Sequence, residues 1–204
     1  MKKIIAAAFV LFAGIFNSKA QAAFNPGLRA GLSLSTISET HANYRPDFYI
    51  GALGEINISK RYSLQPEINY IRQGSDNVAR NFIDPNTDTE KTVYQDLQIS
   101  YLSIDLINKL KFGQGFQVQF GPALDVLLND NLAFRKTYND LSFVTGVAYK
   151  MPSGLGFEFR FKKGLFDVLD SDYYYNNSND HYFFGDYNTN VNFQIGITYS
   201  FNVK

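Results

Sequence analysis

Val191-Asn192-Phe193-Gln194-Ile195-Gly196-Ile197-Thr198-Tyr199-Ser200-Phe201 carries a hydrophobic side chain at every odd position and a polar or small one at every even position. A period of two is the strand period, because successive side chains point to opposite faces of a sheet. One face of this strand is therefore oily from end to end, and the other is Asn, Gln, Gly, Thr and Ser.

The same period recurs upstream in seven further segments. Residues 28–36 set Leu28, Ala30, Leu32 and Leu34 against Arg29, Gly31, Ser33 and Ser35. Residues 48–58 set Phe48, Ile50, Ala52, Ile56 and Ile58 against Gly51, Glu55 and Asn57. Residues 62–73, 116–128, 141–150 and 155–165 follow the same rule. Residues 99–112 change apolar phase, from Leu97 and Ile99 to Leu102, Ile104 and Leu106, which predicts a β-bulge near Tyr101. No helix is expected between these segments.

The connections alternate in length. Residues 59–61, 113–115 and 151–154 are tight turns, whereas 37–47, 74–96, 129–140 and 166–190 read as long loops. Short on one rim and long on the other is the layout of an outer-membrane barrel. The fold class is thus all-β, an eight-stranded antiparallel up-and-down transmembrane β-barrel. A soluble eight-stranded barrel would turn its apolar face inward. Here the apolar face is too rich in Phe, Ile and Leu for so narrow an interior. The other face interleaves Gly31, Gly51, Gly121, Gly146, Gly156 and Gly196 with long polar residues. The apolar face is therefore expected to meet lipid. Aromatic residues beside the short turns, Tyr62, Phe112, Phe116, Tyr149, Tyr199 and Phe201, form an expected girdle at one interface. Phe48, Tyr70 and Phe143 are candidates for the opposite one.

The N-terminus fits export. Lys2 and Lys3 precede an apolar run, residues 4–16, and Ala20-Gln21-Ala22 offers a small-x-small cleavage pattern, with Ser18-Lys19-Ala20 as a second. Residues 1–22 are expected to be a signal peptide and 23–204 the barrel domain. The 204-residue chain has 19 basic and 19 acidic residues, and residues 1–22 hold three lysines and no acid, so the mature charge is −3. That balance argues against a nucleic-acid partner. With no Cys, the chain has no disulfide, thiolate nucleophile or Cys-ligated metal. A mean hydropathy of −0.20 argues against several membrane-spanning helices.

Several stretches resemble the small PorT-type outer-membrane β-barrel family. They are Gly27-Leu28-Arg29-Ala30-Gly31-Leu32, Tyr62-Ser63-Leu64-Gln65-Pro66-Glu67-Ile68-Asn69-Tyr70, Tyr101-Leu102-Ser103-Ile104, Gly115-Phe116 with Gly121-Pro122, Gly146-Val147-Ala148-Tyr149-Lys150 and Gly164-Leu165. The likeness spans nearly the whole mature chain and departs at Asp105, where the family commonly has Pro. It implies a barrel in the outer membrane. It also implies, as an alternative to a structural or surface-interaction role, an accessory place in a secretion apparatus.

The inward face should carry Arg29, Glu55, Glu67, Asp105, Lys109, Asp125, Glu158, Arg160 and Lys162. Both signs are present, so a paired network plugging the lumen is expected rather than an ion path, because buried charge must be paired. Glu55 and Glu67 should lie on adjacent strands at roughly opposite positions, with Arg29 or Arg160 as counter-charge. No catalysis, cofactor or metal is expected. His41 and His181, with Ser38, Ser178 and Asp180, are the residues a lipid-modifying enzyme would use, but a charged lumen does not suit an acyl chain. Asp84, Asp88, Glu90 and Asp96 lack a calcium-loop spacing. The expected partners are outer-membrane lipid and either extracellular ligands or secretion proteins reached through the long loops. Residues 173–187, rich in Tyr, Asn and Asp, read either as an ordered, solvated loop or as a recognition surface. The barrel should be a monomer.

Overall fold

Eight antiparallel strands hydrogen-bond in sequence order, and β8 returns to β1 to close the sheet. They are β1 Ala23–Ile37, β2 Asn43–Asn57, β3 Tyr62–Asp84, β4 Thr89–Phe112, β5 Phe116–Asp130, β6 Asp140–Lys150, β7 Leu155–Gly164 and β8 Asn190–Ser200. This computed structural model describes residues 23–38, 40, 42–84, 88–131, 139–168 and 188–201. The expected signal peptide, His41, His181, Ser178, Asp180 and residues 173–187 lie outside the described residues.

Closure is what hydrocarbon demands. An unpaired backbone N–H or C=O costs several kcal/mol in the bilayer, so no sheet edge can face lipid. The seam runs from Gly27 opposite Ser200 to Ile37 opposite Asn190. No helix among the described residues is long and apolar enough to cross a membrane; the strands make the crossing.

Alternation sorts the side chains as the sequence implies. Ile195 is 62% exposed and its neighbour Gln194 only 3%. Leu28, Leu32, Ile50, Phe143, Phe157 and Ile197 all face outward, while Arg29, Ser33, Glu67 and Asn192 are buried within the barrel. A soluble barrel would show the reverse.

The three tight turns occupy residues 58–61, 113–115 and 151–154. Gly113 and Gly154 take positive φ of 55° and 90°, a conformation that a side chain makes costly. At the other rim, two expected long loops are mostly strand. The 37–47 connection shrinks to residues 38–42, because β2 begins at Asn43. The 74–96 connection shrinks to 85–88, because β3 and β4 continue as a paired ribbon from Gly74 opposite Gln98 to Asp84 opposite Thr89. Beyond the bilayer both faces of a strand meet water, so backbone pairing persists without an apolar alternation to announce it.

The phase change in β4 also has a different origin. Leu97, Ile99, Tyr101, Ser103, Asp105, Ile107 and Lys109 are all buried, so β4 keeps one inward phase throughout. What changes is the lumen's contents, from charged to oily. The register does slip between Ser100 and Tyr101, but the extra residue is Leu128 of β5, since Ser100 faces Asn129 and Tyr101 faces Leu127.

Candidate functional site

The lumen is filled in layers. At its centre two guanidiniums and two carboxylates form a closed ring. Arg29 Nη1 lies 2.9 Å from Glu67 Oε2, and Arg29 Nη2 lies 2.6 Å from Glu158 Oε1. Arg160 Nη2 lies 2.8 Å from Glu67 Oε1 and 3.1 Å from Glu158 Oε2. Every side chain in the ring is at most 1% exposed.

Glycine makes room for this ring. In the ladders, Arg29 stands opposite Gly51, Arg160 opposite Gly146 and Glu158 opposite Gly196. Three long side chains thus each face a neighbour with none. Gly31 and Gly196 face each other across the seam and leave space for the Tyr49 ring; a Cβ on Gly31 would approach the Tyr49 hydroxyl to 2.7 Å. Tyr49 donates a 3.0 Å hydrogen bond to Glu158, and the Arg29 guanidinium stacks 4.4 Å above its ring centroid.

Neutral amides complete the shell. Gln194 accepts from Arg29 at 3.0 Å and Gln119 from Arg160 at 2.7 Å. Gln65 donates to Glu67 at 2.5 Å, and Asn69 bridges Glu67 and Asp105 at 3.2 and 2.9 Å. Nearer the loop rim, Lys162 Nζ meets Asp125 at 2.6 Å and donates to Ser103 at 2.7 Å. Ser103 in turn donates to Asp105. Above that level lies an oily layer of Ile37, Tyr49, Ile71, Val78, Leu97, Ile99, Tyr101 and Val168, each at most 2% exposed.

Glu55 and Glu67 are not opposed. Glu67 faces Leu53, two residues away from Glu55. The two carboxylates have separate partners: Glu67 holds both arginines, while Glu55 binds Lys111 and Lys150, each at 2.6 Å. Lys109 is buried one layer deeper, opposite Ser63 and Gln119. Lys111, Lys150, Tyr49, Asp140 and the oily layer are lumenal residues that a reading of charged alternation passed over. The strand register supplies the missing signal: Tyr49 is even-spaced from Gly51 and Glu55, and so must point inward with them.

The aromatic residues beside the turns are on the outer surface. Phe112, Phe116, Tyr149, Tyr199 and Phe201 are exposed, and Tyr62 is half-buried. Phe112 and Phe116 lie 6.4 Å apart across the β4–β5 turn, and Tyr199 meets Phe201 edge-on at 5.2 Å. The Tyr62 hydroxyl donates to Asn108 at 2.7 Å. Toward the other rim Phe48 packs 6.0 Å from Tyr70.

An even-stranded meander with short turns on one rim, an oily exterior and a charged interior defines a transmembrane barrel of the bacterial outer-membrane class. The family model described as outer membrane protein beta-barrel domain matches residues 16–204, and the chain belongs to that family. It is a protein of the outer membrane. No curated protein sequence matches it. Among solved structures, Neisserial surface protein A (NspA) is similar at 13% identity with a TM-score of 0.50, over 88% of this chain and 98% of that one. Ail, the attachment invasion locus protein of Yersinia pestis, aligns at 9% identity and a TM-score of 0.48 in its complex with the heparin analogue sucrose octasulfate, over 87% of this chain and 99% of that one. These likenesses are of fold.

Proposed function

We propose that the protein is a closed, non-catalytic outer-membrane barrel whose β3–β4 hairpin presents a recognition surface outside the cell. The supporting observation is the uneven height of the wall. β6, β7 and β8 have 11, 10 and 11 residues, about what a tilted strand needs to cross hydrocarbon. β3 and β4 have 23 and 24. β2 pairs with β3 only as far as Asp76, and β5 pairs with β4 only from Ile99. Residues 79–84 therefore stand about 20 Å beyond the neighbouring strands, at roughly 3.4 Å per residue.

Lys91, Thr92, Val93 and Tyr94 are exposed in succession, so both faces of this ribbon meet solvent. Tyr94 is 62% exposed. An exposed Tyr offers contact area at little entropic cost, which suits recognition rather than solvation. The ring of Arg29, Glu67, Arg160 and Glu158 and the oily layer above it plug the lumen, leaving the surface as the working part. The aromatic residues beside the turns serve as the periplasmic girdle. The signal peptide is removed on export after Ala22 or after Ala20, so that N-terminal sequencing of the mature protein begins at Ala23 or Gln21.

The absence of Cys makes the test direct. Tyr94→Cys should react with a membrane-impermeant maleimide on intact cells, and Lys60→Cys in the β2–β3 turn should react only after the outer membrane is opened. A photo-crosslinker at position 94 should then capture a discrete neighbour. The resemblance to PorT-type proteins would make that neighbour a secretion component; a host or matrix macromolecule would make the protein a surface receptor. Labelling of Lys60→Cys but not Tyr94→Cys on intact cells would contradict the proposal.

A further inference from the structure

Charge is distributed unevenly along the lumen. Around the central ring it balances, with Arg29 and Arg160 against Glu67 and Glu158. Toward the tight turns it does not. Lys111 and Lys150 each bind one oxygen of Glu55, at 2.6 Å. Lys109, 4% exposed and one layer deeper, stands opposite Ser63, whose hydroxyl donates to the same carboxylate at 3.0 Å. Two ammonium groups, each with 23% of its side chain exposed, thus share one carboxylate, and with Lys109 buried behind them the mouth holds an excess of two positive charges. Unbalanced charge held away from bulk water is costly until an opposite charge joins it.

A cavity of about 490 Å³ opens beside these lysines, between the β4–β5 and β6–β7 turns. Lys111, Lys150, Gln114 and Gln117 line it together with Gly115, Met151 and Pro152. An ammonium has three donors. Lys150 gives one to Glu55, and Lys111 gives one to Glu55 and one to Asn57. The remaining donors, and the carboxamides of Gln114 and Gln117, are those a multidentate acceptor would use. Asp and Glu are missing from this lining.

We propose that the turn-side mouth of the barrel is a binding site for a phosphate-type oxyanion, held by Lys111 and Lys150 with Gln114 and Gln117 and attracted by the buried charge of Lys109. The anion completes the charge balance that Glu55 alone leaves open. Its source is either a soluble phosphate compound in the periplasm or the headgroup of an inner-leaflet phospholipid, since Lys60 and Arg61 add positive charge to the same rim.

The test is a titration of inorganic phosphate, followed by phosphorus NMR, into the full-length mature barrel in a maltoside detergent that brings no phosphate of its own. Saturable binding is expected. Lys111→Met/Lys150→Met should weaken it by about tenfold or more, and Glu55→Gln should tighten it by about tenfold, because the competing carboxylate is gone. Lys60→Met/Arg61→Met, on the open turn, should leave affinity unchanged. Glu55→Gln keeps every proposed donor and reports on the site even if the lysine double variant does not fold. Repeating the titration in neutral glycolipid nanodiscs with and without phosphatidylglycerol separates the sources: competition by the lipid marks a headgroup site, and equal affinity marks a soluble one. No saturable binding to either the native protein or Glu55→Gln would overturn the proposal. So would an equal loss from the Lys60/Arg61 and Lys111/Lys150 pairs.

Discussion

Glu67 is the residue on which the lumen turns. Its two oxygens take three guanidinium bonds, from Arg29 Nη1 at 2.9 Å and from Arg160 Nη1 and Nη2 at 2.9 and 2.8 Å. Glu67→Gln would leave two buried guanidiniums with Glu158 as their one full counter-charge in the ring. Breaking a buried pair from one side costs about 3–5 kcal/mol. Urea unfolding in lipid vesicles should show that loss, and Glu67→Gln/Arg160→Gln should recover a large part of it, because charge is then balanced again. Equal losses for the single and double variants would mean that the ring is not an electrostatic unit. The glycines are part of the same device. Gly196→Ala would drive a methyl into the space of the Tyr49 ring. The expected outcome is a destabilised barrel with the Tyr49–Glu158 bond broken, seen as loss of slow exchange at the Tyr49 hydroxyl.

At the scale of the element, the hairpin of β3 and β4 is the outlier. Val78 is the last residue of its β3 arm in the oily layer, and Lys91, Thr92, Val93 and Tyr94 beyond the Val78–Gln95 pair are exposed, so replacing residues 79–94 by a two-residue Asn-Gly turn should change unfolding stability by less than about 1 kcal/mol while abolishing crosslinking at the surface. A collapse of the barrel on this deletion would mean that the ribbon is structural. The elements also show what a sequence discloses and why. Residues 191–201 announce their strand and their facing, because lipid on one side and a packed lumen on the other force an alternation upon them. The ribbon is silent, because water on both faces imposes no such pattern. The phase change at Leu97 and Ile99 misleads for a related reason: an oily layer inside the barrel resembles an oily face outside it. Charged lumenal residues such as Arg29 and Arg160 stand out in the sequence, since nothing else tolerates them in a transmembrane strand. Their partners do not, because Glu55 could meet Glu67, Lys111 or Lys150 according to a stagger that only the closed register fixes.

For the whole molecule, four levels of lumenal side chains follow one another from the turn rim to the loop rim: the lysines around Glu55, the Arg–Glu ring, the Lys162–Asp125 pair and the oily layer. Eight strands enclose little more than their own side chains, and planar bilayers containing the pure protein should show no reproducible open-channel steps. The claim beneath all others is that the barrel wears its oily face outward, toward lipid, around a charged interior. Ile195 and Gln194 test it from adjacent positions on β8. An arginine at position 194 would meet Arg29 and Arg160, since Gln194 accepts from Arg29 and faces Arg160 in the ladder, so the lumenal variant of choice is Gln194→Glu. The measurement is reversible unfolding of Ile195→Arg and Gln194→Glu in lipid vesicles. Ile195→Arg should lose about 2–4 kcal/mol, the cost of a charge near the bilayer midplane. Gln194→Glu, beside two guanidiniums, should lose less. A harmless Ile195→Arg in a mature chain that stays folded and soluble without detergent would contradict the account.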